Sequence, residues 1–347
     1  MATTPPAVVV HGLGAALPPK VVTNDDLCAT LDTSDEWIST RTGIRERRMV
    51  SAGLSTRDMA VRAGARALKS AGESTADAVV VATTSADRLC PAVAPEVAHQ
   101  LGLSTVAAFD LTSACSGFLY GLAASAGLIR AGVAETVLFI GAEAFSTLVN
   151  PADRATAPIF GDGGGAVVLR GGTPDEPGAL GPIDLGSDGA KADLLAIPAG
   201  GSRQRSASDG LGFDAVPTGD WYLHMSGRPL YVQAVARMAA SSRVALDRAG
   251  WRVTDVDWFV GHQANLRIVS AVAGELGLAR ERVATNIEWV GNTLAASIPL
   301  LLTEYAARGD LKAGDRVLLS AFGAGLSWGS TTLVWPDLAV DAVDTLQ

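Results

Sequence analysis

Cys115 is the residue best placed to do chemistry. It stands in Phe109-Asp110-Leu111-Thr112-Ser113-Ala114-Cys115-Ser116-Gly117-Phe118, an apolar strand-like run that passes straight into a cysteine. The residues beyond it are almost all small or apolar: Leu119, Leu122 and Leu128 alternate with Gly121, Ala123, Ala124 and Gly127. A helix apolar all round is central and buried. At its start, free N–H groups and the helix dipole favour an anion and lower a thiol pKa, so the nucleophilic thiolate is expected there. Most buried cysteines are merely small hydrophobes, and Cys28 and Cys90 lack this setting. His262 ends the apolar run Trp258-Phe259-Val260-Gly261 and opens the polar turn Gln263-Ala264-Asn265. Asn292 lies in a second Gly-led turn, Gly291-Asn292-Thr293, and a third turn, Phe322-Gly323-Ala324-Gly325, follows another strand-like run. Glycine lets backbone N–H groups approach a ligand closely, as an oxyanion hole requires. His11 reads as structural within the first strand, His99 as part of a surface helix and His224 as part of a loop. Taken singly, none of the four histidines signals catalysis.

The elements that must hold these residues alternate. Val8–Val10, Ala78–Thr84, Thr136–Gly141 and Gly165–Leu169 read as buried strands, and Thr56–Ser70, Pro95–Leu101 and Ser116–Ala131 as helices. The stretch Gly171–Gly219, rich in Gly, Pro, Asp and Ser, reads as a linker with an excursion. The rhythm then restarts: a helix over Leu230–Ala249, a strand at Trp258–Gly261 and a helix from Asn265. A helix over Ser297–Ala307 and strands at Arg316–Ala321 and Ser330–Val334 complete it. Continuously apolar strands alternating with helices predict an α/β layered fold, and the repeated rhythm predicts a duplicated unit. Strand ends opening into loops are where such folds place their chemistry.

Composition narrows the function further. The chain has 347 residues, is 48% hydrophobic and 18% charged, and carries a formal net charge of −9. That apolar content excludes disorder, and the acidic balance argues against nucleic acid or an anionic membrane as partner. Arginine supplies all but four of the basic residues; the lysines are Lys20, Lys69, Lys191 and Lys312. Three irregularly spaced cysteines form neither a disulfide framework nor a zinc cage. With no signal-peptide pattern and no apolar run long enough to span a bilayer, a cytoplasmic protein is expected.

Taken together, the motifs resemble those of the β-ketoacyl-acyl-carrier-protein synthase III family of thiolase-fold condensing enzymes. The resemblance covers nearly the whole length. It rests on Thr33-Ser34-Asp35-Glu36-Trp37-Ile38-Ser39-Thr40-Arg41-Thr42-Gly43-Ile44-Arg45, Ala114-Cys115-Ser116-Gly117-Phe118, Phe160-Gly161-Asp162-Gly163, His262-Gln263-Ala264-Asn265, Gly291-Asn292-Thr293 and the Phe322–Gly325 turn, in that order. It implies a five-layered αβαβα sandwich of two similar halves, 1–172 carrying the nucleophile and 173–347 carrying the His/Asn pair, in a homodimer. Cys115 would take an acyl group from acyl-CoA, and the N–H groups of Cys115 and Ala324 would form the oxyanion hole. His262 and Asn292 would hydrogen-bond the thioester carbonyl of malonyl-acyl carrier protein as carbon dioxide leaves. Trp37, Arg41, Arg154 and Asn265 would bind CoA, and Cys90 and Phe322 would shape the acyl pocket, Cys90 from the neighbouring subunit. Arg267 would help dock the carrier. No metal or organic cofactor is implied.

Two departures bear on specificity. Cys90 stands where many members carry a large aromatic, which implies room for a starter longer or more branched than acetyl. On the carrier-docking face Val232, Gly274 and Glu275 replace lysines, so an acidic carrier would be held less strongly. A degradative thiolase would need a second cysteine after Cys115, and none follows. A hydroxymethylglutaryl-CoA synthase would need a catalytic carboxylate, and no motif marks Glu143 or Glu288 as one. Chalcone-type synthases share the Cys-His-Asn set, but the Trp37–Arg41 segment and the C-terminal motifs match synthase III better. The remaining alternatives are starter-unit priming or acyl transfer to an alcohol or amine in specialised metabolism, and, from another class, a redox sensor or scaffold with one accessible thiol.

Overall fold

The structure, a computed structural model, describes residues 6–103, 105–207 and 216–346. In chain order the strands are β1 (Ala7–Leu17), β2 (Lys20–Thr23), β3 (Glu46–Met49), β4 (Ala78–Ala82), β5 (Ala107–Leu111), β6 (Thr136–Glu143) and β7 (Gly163–Gly172). They continue with β8 (Asp184–Ser187), β9 (Leu195–Ala196), β10 (His224–Met225), β11 (Trp258–Gly261), β12 (Arg316–Gly323), β13 (Ser327–Val334) and β14 (Asp344–Thr345). The α-helices are α1 (Asn24–Cys28), α2 (Asp35–Thr42), α3 (Thr56–Ala71), α4 (Ala94–Gln100) and α5 (Gly117–Arg130). After them come α6 (Ser202–Ala207), α7 (Gly227–Ala249), α8 (Leu266–Leu276), α9 (Ile287–Val290) and α10 (Ser297–Ala307).

Two main sheets result, ordered β14-β1-β7-β6-β4-β5 and β11-β12-β13-β8. The continuous apolar runs are explained by burial on both faces. Along β4, Ala78, Val80 and Ala82 face a core that also holds Phe118, Leu119 and Leu122 of α5 and Ile298, Leu301 and Leu302 of α10. Val79 and Val81 face the opposite way, toward Ala60, Ala63 and Ala67 of α3 and Val97 of α4. The second sheet shares the central core through Val317 and Leu319, while Leu318 turns outward to Met238 of α7 and Val269 of α8. Helices therefore lie outside both sheets and between them, giving the five-layered thiolase-like sandwich that the α/β alternation predicts. The apolar character of α5 on all sides follows from its central layer.

The halves share one topology. β4 and β6 are parallel, β6 and β7 antiparallel, and β7 and β1 antiparallel. In the same sense β11 and β12 are parallel, β12 and β13 antiparallel, and β13 and β8 antiparallel. The turns into the two central helices match as well. Ala114 (φ +43°) and Leu294 (φ +47°) each open a 3₁₀ turn, Ala114–Ser116 and Leu294–Ala296, which runs on into α5 and α10. Each turn is met by a glycine of the neighbouring strand. A Cβ on Gly141 would lie 2.3 Å from Ala295 O, and one on Gly323 would lie 2.8 Å from Cys115 N. Gly141→Ala is therefore expected to cost about 3 kcal/mol by overpacking. Gly127→Ala, whose Cβ meets nothing within 4 Å in α5, should be neutral or stabilising by about 0.5–1 kcal/mol. Urea unfolding of both variants tests the contrast.

Three sequence expectations change. The first strand runs well beyond Val10, to Leu17. The stretch 171–219, part of which lies outside the described residues, is not simply a linker. It supplies β8 to the second sheet and β9 to a small antiparallel ribbon with β10. His224 lies in that ribbon rather than in a loop. Strands of two to four residues carry too little periodicity to be seen in a Gly- and Asp-rich stretch. Beyond β13 the chain returns to the first sheet, where β14 lies parallel to Ala16–Leu17 of β1. There Arg62 and Arg66 of α3 pair with Asp344, and Lys69 pairs with Asp341.

Candidate active site

β5 delivers Cys115 to the turn before α5, and hydroxyl bonds lock that turn to the third Gly-rich one. Ser116 Oγ and Ser327 Oγ are 2.7 Å apart, and Ser327 Oγ donates to Ala324 O at 2.8 Å. Gly323 lies against the Cys115 amide, which only a residue without a Cβ permits. The thiol is buried, and burial pushes its pKa up to about 12, with the Glu143 carboxylate adding to the rise and Asn292 opposing it. The expected lowering by a helix start is overturned. α5 begins only at Gly117, two residues on, and the desolvation of a thiolate outweighs the dipole.

His262 follows β11, and its backbone N–H donates to Ser320 O of β12 at 2.8 Å. Its side chain is buried, neither ring nitrogen has a partner among the described residues, and burial drives the imidazole down to about 3. It is therefore neutral at any working pH. Asn292 is held by its backbone, its N–H donating to Ile159 O and its carbonyl accepting from Gly161 N, both at 2.9 Å. Its Oδ1 accepts from Leu294 N at 3.0 Å. That leaves the amide Nδ2 to donate, and in the resting site it is directed at the Cys115 sulfur.

Cys115 lies at a cavity of about 250 Å³, lined by Thr84, Ala114, Phe145, Phe160, Leu195, Ala196, Ile197, Leu223, Leu294 and Ala324. Phe145 and Phe160 form one wall, their ring centroids 5.0 Å apart. Leu195, Ile197 and Leu223 come from around the β9–β10 ribbon, and sequence reasoning missed them. The only trace of that wall is the short apolar run Leu194–Ile197 inside the polar stretch. Glu143, at the end of β6, is fully buried nearby. Its carboxylate accepts from Ser85 Oγ and from the N–H groups of Thr84 and Ser85 at 3.0–3.1 Å. Burial still pushes its pKa up to about 7. Asp162, in the Phe160–Gly163 motif, is a clamp: its carboxylate accepts from Val50 N and Ser146 N at 2.8 Å and from Ser146 Oγ at 2.6 Å.

On the outer rim, α2 starts at Ser34, whose Oγ caps Trp37 N, and stops at Gly43 (φ +81°). Trp37 is half-buried, with the Arg41 and Arg154 guanidinium carbons 4.8 and 5.0 Å from its ring centroid. The structure thus brings these three together. Asn265 joins them as a tie: it caps α8 through Oδ1 to Arg267 N (2.9 Å), and its Nδ2 donates to Arg41 O (3.0 Å). Arg267 is exposed on α8, with its guanidinium carbon 6.0 Å from the Tyr231 ring centroid. Cys90 is exposed beside Leu89 and does not line the cavity of its own chain. Phe322 corrects the expectation of an acyl-pocket role. It points outward into the core with Leu230, Met238 and Phe259, because strand alternation sends Ala321 to the central layer and Phe322 to the helices outside.

Comparison with known proteins now bears on this geometry. Family models of 3-oxoacyl-[acyl-carrier-protein] synthase III match residues 109–189, and its C-terminal model matches residues 246–335. A Streptomyces coelicolor protein named β-ketoacyl-[acyl-carrier-protein] synthase III 3 is 55% identical over 97% of this chain and 99% of its own. The crystal structure of 3-oxoacyl-(acyl carrier protein) synthase III from Pseudomonas aeruginosa PAO1 superposes with a TM-score of 0.89. It is 49% identical and covers 96% of this chain and 99% of its own. The priming β-ketosynthase of the R1128 polyketide biosynthetic pathway superposes at 0.88, with 33% identity, 97% of this chain and 98% of its own. A thiolase-like sandwich with one thiol at the mouth of its central helix and 55% identity across the whole length leave one assignment: the chain belongs to the β-ketoacyl-[acyl-carrier-protein] synthase III family and is a condensing acyltransferase.

Proposed function

We propose that the chain joins an acyl group from acyl-CoA to malonyl-acyl carrier protein by decarboxylative Claisen condensation, beginning fatty-acid synthesis. The observation that carries this is Cys115 at an apolar cavity with the Asn292 side chain against its sulfur, together with a neutral, unpartnered His262 at the end of β11. A thiol at about 12 and an imidazole at about 3 rest as a neutral pair, not as an ion pair. Sγ therefore loses its proton as it attacks the thioester carbonyl, and CoA leaves as the thiol. The N–H groups of Cys115 and Ala324 hold the tetrahedral oxyanion. In the second half-reaction the malonyl C–C bond breaks and carbon dioxide departs. The enolate oxygen is held by donors from His262 and Asn292 Nδ2. The carbanion attacks the acyl-Cys115 carbonyl, the C–S bond breaks, and β-ketoacyl-carrier is released. No step calls on a metal or organic cofactor.

Trp37, Arg41 and Arg154 supply an aromatic face and guanidinium groups for the adenine and phosphates of CoA. An adenine stacking on Trp37 takes the place of one guanidinium, freeing it for phosphate. A homodimer fits the free edge of the first sheet: β5 is unpaired on its outer side, with Phe109 37% exposed and Leu89, near Cys90, 80% exposed. Asp110 of β5 anchors the end of the Cys90 loop through Val93 N and Ala94 N. The partner subunit would meet both together, with Cys90 leaving room for a longer or branched starter. Three unpaired cysteines suit the reducing cytoplasm, and among the described residues no helix is long and apolar enough to cross a membrane.

A second reading, priming of a polyketide carrier, is favoured by the docking face, where Val232 is 56% exposed and Glu275 faces Arg243. Intact-protein mass spectrometry with a panel of acyl-CoAs, followed by malonyl-carrier, separates the readings. Adducts absent in Cys115→Ala and turned over on fatty-acid carrier support the first. Turnover only on a polyketide carrier supports the second. Transfer only to an alcohol or amine refutes condensation.

A further inference from the structure

Arg47 is the largest side chain with no exposure at all, and the chemistry above makes no use of it. Burying a guanidinium costs several kcal/mol unless strong acceptors surround it. Glu46 and Asp26 lie near, but among the described residues no carboxylate forms an ion pair with it. Its acceptors are Val22 O at 3.0 Å, Asn24 Oδ1 at 2.7 Å and Pro158 O at 2.8 Å. Three neutral oxygens from separate stretches of chain converge on one fork-shaped cation.

Two of those contacts lead to opposite sides of the site. Asn24 is itself buried, and its Nδ2 donates to Asp35 Oδ1 at 2.7 Å and to Ile44 O at 2.8 Å. It thereby holds both ends of α2, the helix that carries Trp37 and Arg41. Pro158 opens the segment whose next residue, Ile159, accepts from Asn292 N, and whose Phe160 walls the cavity. Gly291 (φ +70°) completes the junction, since a Cβ there would lie 3.0 Å from Arg47 Cβ. The nucleotide-end helix and the Asn292 turn are thus tied at their buried side through this guanidinium, while Arg45 joins the same regions at the surface through Glu288.

We propose that Arg47 is a positioning residue that fixes Asn292 relative to α2, so that a thioester held at Trp37 and Arg41 presents its carbonyl to Asn292 Nδ2. The inference rests on the condensing role given above. Arg47→Met removes the tie at similar volume, Arg47→Lys restores the charge with fewer donors, and Asn24→Ser cuts the α2 branch alone. The measurements are malonyl-thioester decarboxylation and, separately, the rate and KM of Cys115 acylation from acyl-CoA.

For Arg47→Met, decarboxylation kcat should fall about tenfold or more, as sub-ångström misplacement of a catalytic group does. The saturated acylation rate should stay within about twofold, because Cys115 and Ala324 are held by other bonds. Arg47→Lys should recover part of the decarboxylation. Asn24→Ser should raise the KM for acyl-CoA and lower decarboxylation in the same direction as Arg47→Met, by less because the Pro158 contact remains, and it serves if Arg47→Met does not fold. Equal losses in both half-reactions, or folded variants that match wild type in both, would overturn the proposal. Wild-type protein that neither acylates nor decarboxylates would overturn the condensing role itself.

Discussion

His262→Ala and Asn292→Ala are each expected to slow decarboxylation of a malonyl thioester by about 10²–10³-fold, the usual cost of one lost oxyanion donor. Transfer of an acyl group from CoA to Cys115 should survive in both variants. Among the described residues both ring nitrogens of His262 lack partners, while Asn292 accepts from Leu294 N through Oδ1 and turns Nδ2 toward the Cys115 sulfur. His262 is therefore open to a carbonyl oxygen, and once Cys115 is acylated Nδ2 can turn from the sulfur to the same oxygen. Preorganised neutral donors in a dry site stabilise an enolate strongly, because they need not reorient as charge develops. The imidazole at about 3 sets the pH behaviour. Below pH 3 it is protonated, above it neutral, so decarboxylation should be flat across the neutral range with no inflection near 6.5. Carbon dioxide release against pH, beside the mass of the acylated protein, checks both points. An inflection near 6.5 that persists in Glu143→Gln would show a solvated histidine, since Glu143 itself sits at about 7, and equal loss of acylation would place these residues in the first half-reaction. Cys115→Ala should give the mirror image, retaining decarboxylation and losing the acyl adduct.

Glu143→Gln should make Cys115 more reactive toward iodoacetamide, and more so as pH rises. The Glu143 carboxyl sits at about 7, raised by burial, and its negative charge helps hold the Cys115 thiol up near 12. Below pH 6 the wild-type carboxyl is protonated and uncharged, so wild type and variant should react alike. As pH passes 7 the wild type gains its charge and the variant does not, so the thiolate fraction of the variant pulls ahead. A one-unit fall in the thiol pKa gives about tenfold more thiolate at pH 9. Most of the hydrogen bonding survives this substitution, with Thr84 N–H losing Oε1 but keeping the Oε2 position as acceptor. A glutamine oxygen in the place of Oε2 still accepts from Ser85 N, Ser85 Oγ and Thr83 Oγ1. Alkylation rates between pH 6 and 9 measure the effect, and a ratio independent of pH would show that the carboxyl does not ionise in that range.

The architecture was legible because its strands are covered on both faces, so Ala78–Ala82 and Thr136–Gly141 read as unbroken apolar runs. Cys115 stood out because a strand, a cysteine and an apolar helix follow one another without a break. What escaped detection did so for physical reasons. The acyl wall at Leu195, Ile197 and Leu223 sits around two-residue strands, too short for any period. Phe322 was misassigned because a one-residue change of parity along a strand reverses its face. Arg47 lies in Glu46-Arg47-Arg48, three charged residues in a row, and nothing in the letters says that the middle one points inward. The thiol pKa was misjudged because sequence shows the approach of a helix but not the depth of burial, and depth decides it.

The C-terminal return carries a consequence for how copies of this chain can add to one another. A sheet grows only at bare edges. The chain spends its own last residues covering one rim of the first sheet, at Ala16–Leu17, and leaves the other rim bare. Within this sheet two copies meeting rim to rim exhaust each other, and any further growth falls to the edge strands of the second sheet, β11 and β8. The cover, however, is short, and ion pairs to Asp341 and Asp344 help hold it at the surface. Such pairs are weak and screened by salt. Ionic strength therefore acts on the number of growing ends the first sheet offers, with one at low salt and a second exposed as the return loosens.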